Sequence, residues 1–178
     1  MLQAISAGWA RVELFVAALL ALGITLLILL NVVTRSFGAA LYWVDELAIY
    51  TMVWMTFLAT SAGIHYGHSV SVTILTDVMP KPLSKLVEKL VDLILFVFAL
   101  FMLWFCWRWF SPLALWQAGF DFEVFQGQPF NFIYAEPTTT LGIRKYWLWL
   151  VMWLFAFGAS LHSFTHLISS AKPEGTRP

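Results

Sequence analysis

The sequence predicts an all-α integral membrane protein. It has four transmembrane helices with both termini inside, a short interfacial amphipathic helix between helices 2 and 3, and a long outer loop between helices 3 and 4. Three observations predict this. The chain is 61% hydrophobic and 11% charged, against about half and a quarter for a soluble domain, which leaves too little polar surface to coat a globule in water. Four runs are long and apolar enough to cross a hydrocarbon core of about 30 Å, which takes roughly 20 helical residues. All seven prolines, at 80, 82, 112, 129, 137, 173 and 178, fall outside those runs, where helix breakers end spans. A backbone in lipid must satisfy its own hydrogen bonds, so each run is a helix rather than an open strand.

The first span, residues 12–34, rests on the apolar run Leu14–Val33; it is longer than a signal-peptide core and is expected to be a retained helix. The second, residues 45–65, is charge-free from Leu47 to Ile64. The third, residues 84–110, is charge-free from Leu93 to Trp107 between Asp92 and Arg108. Its helical pattern starts near Leu83 and extends about 42 Å, which overshoots the core. Lys85, Glu88, Lys89 and Asp92 stand there at ion-pairing spacings, so that end belongs in water or headgroups. The fourth, residues 145–169, holds only His162 and His166 as titratable groups between Tyr146 and Ile168. The expectation is one four-helix membrane domain over residues 1–178.

Orientation follows from lysine and arginine near the span ends. Arg11, Lys81, Lys85, Lys89, Lys172 and Arg177 share one side, and Arg35, Arg108, Arg144 and Lys145 the other; six against four places both termini inside. Trp43, Trp107, Trp109, Trp116, Trp147 and Trp149 gather on the outer side, as an interfacial belt or, for a few, a protein-binding surface. Val70, Ile74 and Val78 recur every fourth residue, the pattern of an amphipathic helix lying in the inner interface. The outer loop, Ser111 to Lys145, carries Phe120, Phe122, Phe125, Phe130, Phe132 and Tyr134. A loop so long and aromatic is expected to be folded and functional, either on the membrane or against a partner.

Transporters that hold a solute at the midplane use interrupted helices. Here no span contains proline, the span glycines Gly23, Gly63 and Gly158 are single, and no Asp, Glu, Lys or Arg stands in mid-span. Charged groups at that depth are costly and mark pathways, so the chain alone is not expected to move a hydrophilic solute. Arg35 closes span one, and Asp45 and Glu46 open span two. Two readings stand for them: solvation at the boundary, or an Arg35–Glu46 pair that locks the two helices. Small residues every fourth position (Ala17, Ala21, Thr25; Ala59, Gly63; Ala156, Ser160) offer faces for close helix packing.

Zero net charge and no basic stripe argue against nucleic acid. The single Cys106 forms no intrachain disulfide and packs like a hydrophobe. His65, His68, His162 and His166 fall toward the inner ends of spans two and four. They are open to three readings: hydrogen bonding at the interface, axial ligation of a b-type haem in a respiratory membrane anchor, or a metal on the His162/His166 pair. No nucleophile elbow, phosphate loop or zinc-protease motif is present, so an enzyme is not expected.

The order of motifs from Asn31 to Pro80 resembles the small membrane (Q) subunit of tripartite ATP-independent periplasmic (TRAP) transporters. Asn31-Val-Val-Thr-Arg35 ends span one and Trp43-Val-Asp-Glu46-Leu opens span two. Trp54-Met-Thr-Phe57-Leu follows, then Ala62-Gly63-Ile-His65-Tyr-Gly-His68 and a run to Val78-Met-Pro80. Departures are Ala59 where the family has glycine, His65 for arginine, Ser69 for an aliphatic residue, and a longer, more aromatic loop. The resemblance implies a bacterial inner-membrane scaffold without a cofactor of its own. It would brace a large elevator-type membrane subunit for sodium-coupled uptake of an organic acid delivered by a periplasmic binding protein. It also implies that Asn31, Arg35, Trp43, Glu46, Trp54, Phe57, Gly63 and His68 serve structure or partner contact. The aromatic loop is the candidate surface for the large subunit or the binding protein, and lipid is the remaining partner.

Overall fold

The computed structural model describes residues 1–67, 79–127 and 130–168. Within them four helices are long and apolar enough to cross a membrane: α1 (Leu2–Ser36), α2 (Tyr42–Tyr66), α3 (Lys81–Phe110) and α6 (Tyr146–Ile168). Two short helices, α4 (Pro112–Gln117) and α5 (Phe122–Gly127), occupy the connection before α6. The described residues contain no strand, and the only bridge joins Pro137 to Arg144. His68, Ser69 and the amphipathic pattern Val70–Val78 lie outside the described residues.

Helix α1 starts at Leu2, well before the expected residue 12, and its 35 residues reach about 52 Å. Apolar patterning stops at Glu13 when it is read by hydropathy, but the folded chain buries that residue. Ser6, Ala10, Glu13 and Ala17 form the buried stripe of α1, spaced four, three and four residues apart so that all face one way. Ala21 and Thr25, expected on a packing face, are exposed, as is Ala59, and a Cβ on Gly63 would meet open space. The face that packs on α2 runs toward the start of α1, and α2 answers it with Leu58, Ser61 and Ala62.

The packed pairs are α1 with α2, α2 with α6, α3 with α6 and, more lightly, α1 with α6. In the middle, Ala17, Leu58 and Val151 form one cluster, and Ala99, Phe155 and Ala159 another, with Phe57 edge-on to Phe155 at 5.3 Å. Much of α1 and α3 faces outward with large apolar side chains, among them Leu22, Leu26, Leu29, Ile94, Phe98 and Phe101. Such faces suit lipid or protein, not water. Ser and Thr side chains return hydrogen bonds to their own helix, as Thr51 does to Leu47 and Ser160 to Ala156, which removes the cost of a polar group in hydrocarbon.

Each helix end has a local cause. Gly67 takes the left-handed conformation (φ 66) that closes α2. Pro82 stands in the first turn of α3, and Pro112 follows Ser111, whose φ of 42 ends it. The last carbonyls of α6, at His166 and Leu167, accept hydrogen bonds from Lys89 Nζ at 2.7 and 2.9 Å, a cation on a helix C-terminus. The bundle thus has a loop end, with the α1–α2 and α3–α6 connections, and a terminal end, with the start of α1 and the finish of α2 and α6.

Candidate functional site

At the loop end, Asn31 and Arg35 stand one turn apart on α1 and reach across to α2. Arg35 Nη2 pairs with Asp45 Oδ2 at 2.7 Å, Arg35 Nε donates to Asn31 Oδ1 at 2.9 Å, and Asn31 Nδ2 donates to Asp45 Oδ1. Of the two readings, solvation at the boundary or an Arg35–Glu46 lock, the structure shows a pair, and its acid is Asp45 rather than Glu46. Position 45 opens α2 on the side that faces α1, while position 46 turns toward the later loop. Both charged side chains are about half exposed, 57% and 41%. Such a pair fixes geometry more than it adds stability.

Glu46 has a different task. Its carboxylate accepts the backbone N–H groups of Thr139 (2.8 Å), Thr140 (2.6 Å) and Leu141 (3.1 Å), and the Thr140 hydroxyl at 2.6 Å. Tyr50 donates to it as well, at 3.3 Å. One carboxylate on α2 thus pins a turn almost a hundred residues away, through convergent donors that favour an anion. The turn is shaped for this: Thr138 N donates to Ile143 O at 2.8 Å, Lys145 N to Glu136 O at 2.9 Å, and Lys145 Nζ pairs with Glu136 at 2.6 Å. That bond holds the Lys145 ammonium above the usual lysine range.

The connection has its own core. Phe110, Leu115, Phe125, Ile133 and Tyr134 are buried together, and Phe122, Tyr146, Trp149 and Trp153 close around them. Tyr134 OH donates to Phe110 O at 2.7 Å and Asn131 Nδ2 donates to Trp109 O at 2.5 Å, so loop side chains satisfy the freed carbonyls at the end of α3. Burial pushes the Tyr134 hydroxyl up. The Arg144 guanidinium lies 4.4 Å above the Phe122 ring, a cation–π contact.

The six loop aromatics singled out from the sequence therefore divide. Phe125, Tyr134 and Phe122 face in, whereas Phe120, Phe130 and Phe132 face out, Phe130 at 82% exposure. Phe120 and Phe130 hold positive φ, 61 and 49, where a bulky residue is an outlier and glycine or asparagine is the usual occupant. Among the other motif positions, Trp54 Nε1 donates to Leu148 O at 2.9 Å and ties α2 to α6. Trp43 is exposed at the start of α2, and Gly63 is half-buried.

The interfacial reading allowed hydrogen bonds to headgroups or backbone, and the described histidines at the terminal end bond within the bundle, one of them to backbone. His162 is fully buried: Nε2 meets Glu13 Oε2 at 3.1 Å and Nδ1 meets Ser6 Oγ at 2.7 Å. Both of its ring nitrogens are thereby engaged. His65 Nδ1 meets the same Ser6 Oγ at 2.8 Å, and His166 Nε2 donates to His65 O at 3.0 Å. Among the described residues no group of three or more His, Cys, Asp or Glu is arranged to hold a metal ion. Glu13 stands at the start of the first expected span, outside its middle, yet it is only 2% exposed. The signal for it was the Ser6–Ala10–Glu13–Ala17 stripe, which keeps helical period past the apparent start of the span.

Taken together, the described spans are unbroken helices clamped at both ends, with the longest connection fastened onto α2. No curated protein and no solved structure matches the chain. The family of the tripartite ATP-independent periplasmic transporters, DctQ component, matches residues 24–172, most of the chain and all of the clamped loop end, so the chain belongs to that family and is the small membrane component of such a transporter.

Proposed function

We propose that this chain braces the large membrane subunit of its transporter while that subunit moves, and that the loop end is the surface it offers to partners outside the membrane. The observation that carries this is the Glu46 clamp, which makes the aromatic connection and the helices one mechanical unit. A moving neighbour can lean only on a surface that does not give way. Phe120 and Phe130, exposed and held in a backbone conformation costly for their type, support the same reading: strain of this kind is retained where a partner uses the side chain. Asn31, Arg35, Trp54 and Phe57 hold the helices behind that surface, Trp43 stands exposed at the start of α2, and Gly63 leaves room for a neighbour against α2.

In this reading the loop end is periplasmic, the terminal end cytoplasmic, and the membrane the bacterial inner one. The large subunit carries solute and sodium, the binding protein delivers an organic acid, and this chain contributes neither site nor cofactor. Unbroken helices support that division of labour, because a midplane solute site is built from interrupted helices whose freed backbone holds the solute. The haem-anchor reading has less support, since His162 already uses both ring nitrogens. The test is co-expression with the large subunit and the binding protein, followed by reconstitution. The chain should co-purify with the large subunit, and a Phe120→Asn/Phe130→Asn variant should weaken the assembly and slow uptake while remaining folded. Sodium-driven acid uptake by liposomes that hold this chain alone would overturn the proposal.

A further inference from the structure

The second polar site lies at the other end of the bundle, and two of its five side chains, Ser6 and Glu13, precede the residues matched to the family. Five side chains from α1, α2 and α6 form one hydrogen-bonded chain. Ser61 Oγ donates to Glu13 Oε1 at 2.7 Å, Glu13 Oε2 meets His162 Nε2 at 3.1 Å, His162 Nδ1 meets Ser6 Oγ at 2.7 Å, and Ser6 Oγ meets His65 Nδ1 at 2.8 Å. Ser6, Ser61 and His162 are fully buried, Glu13 nearly so, and His65 is half-buried at the finish of α2. The α-carbon of Gly158 closes the far side, where a Cβ would strike Glu13 and Ser61. One end of the chain is thus sealed, and the other, at His65, is partly exposed at the terminal end of the bundle.

The order of donors is fixed by chemistry. With Glu13 ionised, its oxygens only accept, so His162 Nε2–H donates to it and His162 Nδ1 accepts. The Ser6 hydroxyl must then donate to His162 and accept from His65 Nδ1–H. With Glu13 protonated, every link between Glu13 and His65 reverses: the Glu13 hydroxyl donates to His162 Nε2, His162 Nδ1–H to Ser6, and Ser6 to His65 Nδ1. Both arrangements satisfy every atom with no movement of heavy atoms.

We propose that Glu13 is a proton-binding site, loaded from the terminal end of the bundle through the His65–Ser6–His162 hydrogen-bonded chain. The step balances. A proton from water binds His65 Nε2, the Nδ1 proton of His65 passes to Ser6 Oγ, and the Ser6 proton passes to His162 Nδ1. The Nε2 proton of His162 passes to Glu13 Oε2. His65 gains an Nε2–H bond and loses its Nδ1–H bond, Ser6 exchanges one hydroxyl proton for another, and His162 changes tautomer, all without net charge. The net change is one O–H bond gained at Glu13 for one hydronium proton consumed. The ligand is a proton rather than a metal ion, because both ring nitrogens of His162 are already used and no described cluster has a ligand set for a cation.

The groups that face the chain come from all four long helices. Arg11 on α1 acts on His65, as do His162 and His166 on α6. On α3, Asp92 Oδ1 lies 3.9 Å from His166 Nδ1, and Lys89 holds the carbonyls of His166 and Leu167. Loading removes the only buried carboxylate charge among the described residues, between α1 and the α2–α6 pair, and so changes how firmly α1 is held. The assignment does not rest on the transporter reading.

The full chain in lipid nanodiscs tests it by infrared difference spectroscopy across a pH step, in H2O and D2O. A carboxylate-to-carboxyl conversion is expected in the wild type and should vanish in Glu13→Gln. Ser6→Ala keeps Glu13, Ser61 and His162 but removes the link to His65. It should retain the carboxyl band and slow deuterium exchange at it by about tenfold or more, the factor that follows from one unmade hydrogen bond, and Ser6→Thr should restore the rate. If Glu13→Gln fails to fold, the Ser6 pair decides alone. A band that ignores pH, one that survives in Glu13→Gln, or exchange at the wild-type rate in Ser6→Ala overturns the proposal.

Discussion

Alanine at position 158 should destabilise the bundle by about 2–5 kcal/mol, opposite in sign to the usual effect of filling a glycine in a helix. Glycine in a helix interior ordinarily costs roughly 0.5–1 kcal/mol relative to alanine, so the local term favours the change. The surroundings reverse it. A Cβ on Gly158 would run into Glu13 Oε1 and Ser61 Oγ and stand 3.0 Å from Trp9 Nε1. Neither oxygen can swing clear, since Glu13 is held by both Ser61 and His162 inside the bundle. Forcing an extra methyl into such a site costs about 1–3 kcal/mol, and breaking the Ser61 bond to a buried carboxylate adds a further 1.5–3 kcal/mol or so. The assay is reversible unfolding in mixed micelles, with Gly23→Ala and Gly63→Ala as controls, because a Cβ at either position meets nothing within 4 Å. Those controls should be neutral or slightly stabilising. Pairing Gly158→Ala with Ser61→Ala should recover part of the loss, since the two sites share a contact. A Gly158→Ala chain as stable as wild type, or controls that fall equally, would refute the steric argument.

Three further outcomes follow from the loop end. Glu46→Gln replaces one acceptor oxygen with an amide that faces the N–H groups of Thr139, Thr140 and Leu141. Hydrogen exchange at those amides should quicken while helix content stays constant; unchanged protection would show that the clamp is not electrostatic. In the folded chain, Lys145 holds its proton more tightly because of its hydrogen bond to Glu136, and Tyr134 does so because of burial. Both pKa values are raised, so their contribution is present at neutral pH and is lost as pH rises past the ordinary lysine and tyrosine ranges. Proteolysis of the 111–145 connection should therefore rise under alkaline conditions, less so in Tyr134→Phe. Phe130→Asn places a residue tolerant of positive φ at a strained, exposed position. It should leave the isolated chain as stable or up to about 1 kcal/mol more so, while it lowers co-purification of the partner subunits.

The spans were legible because lipid leaves few options: a long uncharged run must be a helix, and proline must stand outside it. What the sequence could not convey was which side of a boundary residue is wet. Glu13 and Glu46 each adjoin an apolar run, and hydropathy treats both as span ends. Glu46 is one, whereas Glu13 is enclosed by partners from helices 48 and 149 residues away along the chain. The Asp45–Glu46 dipeptide hid a second ambiguity, because adjacent helix positions point about 100° apart and only the packed structure tells which faces Arg35. In the loop, phenylalanine content signalled a folded segment, yet the division into buried Phe125 and outward Phe130 depends on packing against Phe110 and Tyr134, partners set by the fold rather than by local sequence.

The two polar latches bear on how a greasy four-helix bundle keeps its register at all. Lipid tails are as apolar as leucine, so burial against lipid gives α1 no preference for one height over another. Directional bonds must set it. Along α1, Glu13 and Arg35 are about 33 Å apart at 1.5 Å per residue, close to the full thickness of the hydrocarbon core. One engages Ser61 and His162 and the other Asp45. A slip of one turn, about 5.4 Å, would break both sets at once and strand a carboxylate among apolar side chains, which costs several kcal/mol. With its height fixed at the two extremes, the stretch between needs no polar groups, and α1 can present Leu22, Leu26 and Leu29 outward. The proposed bracing role calls for that combination: a smooth apolar flank, and a position that does not slide along the bundle.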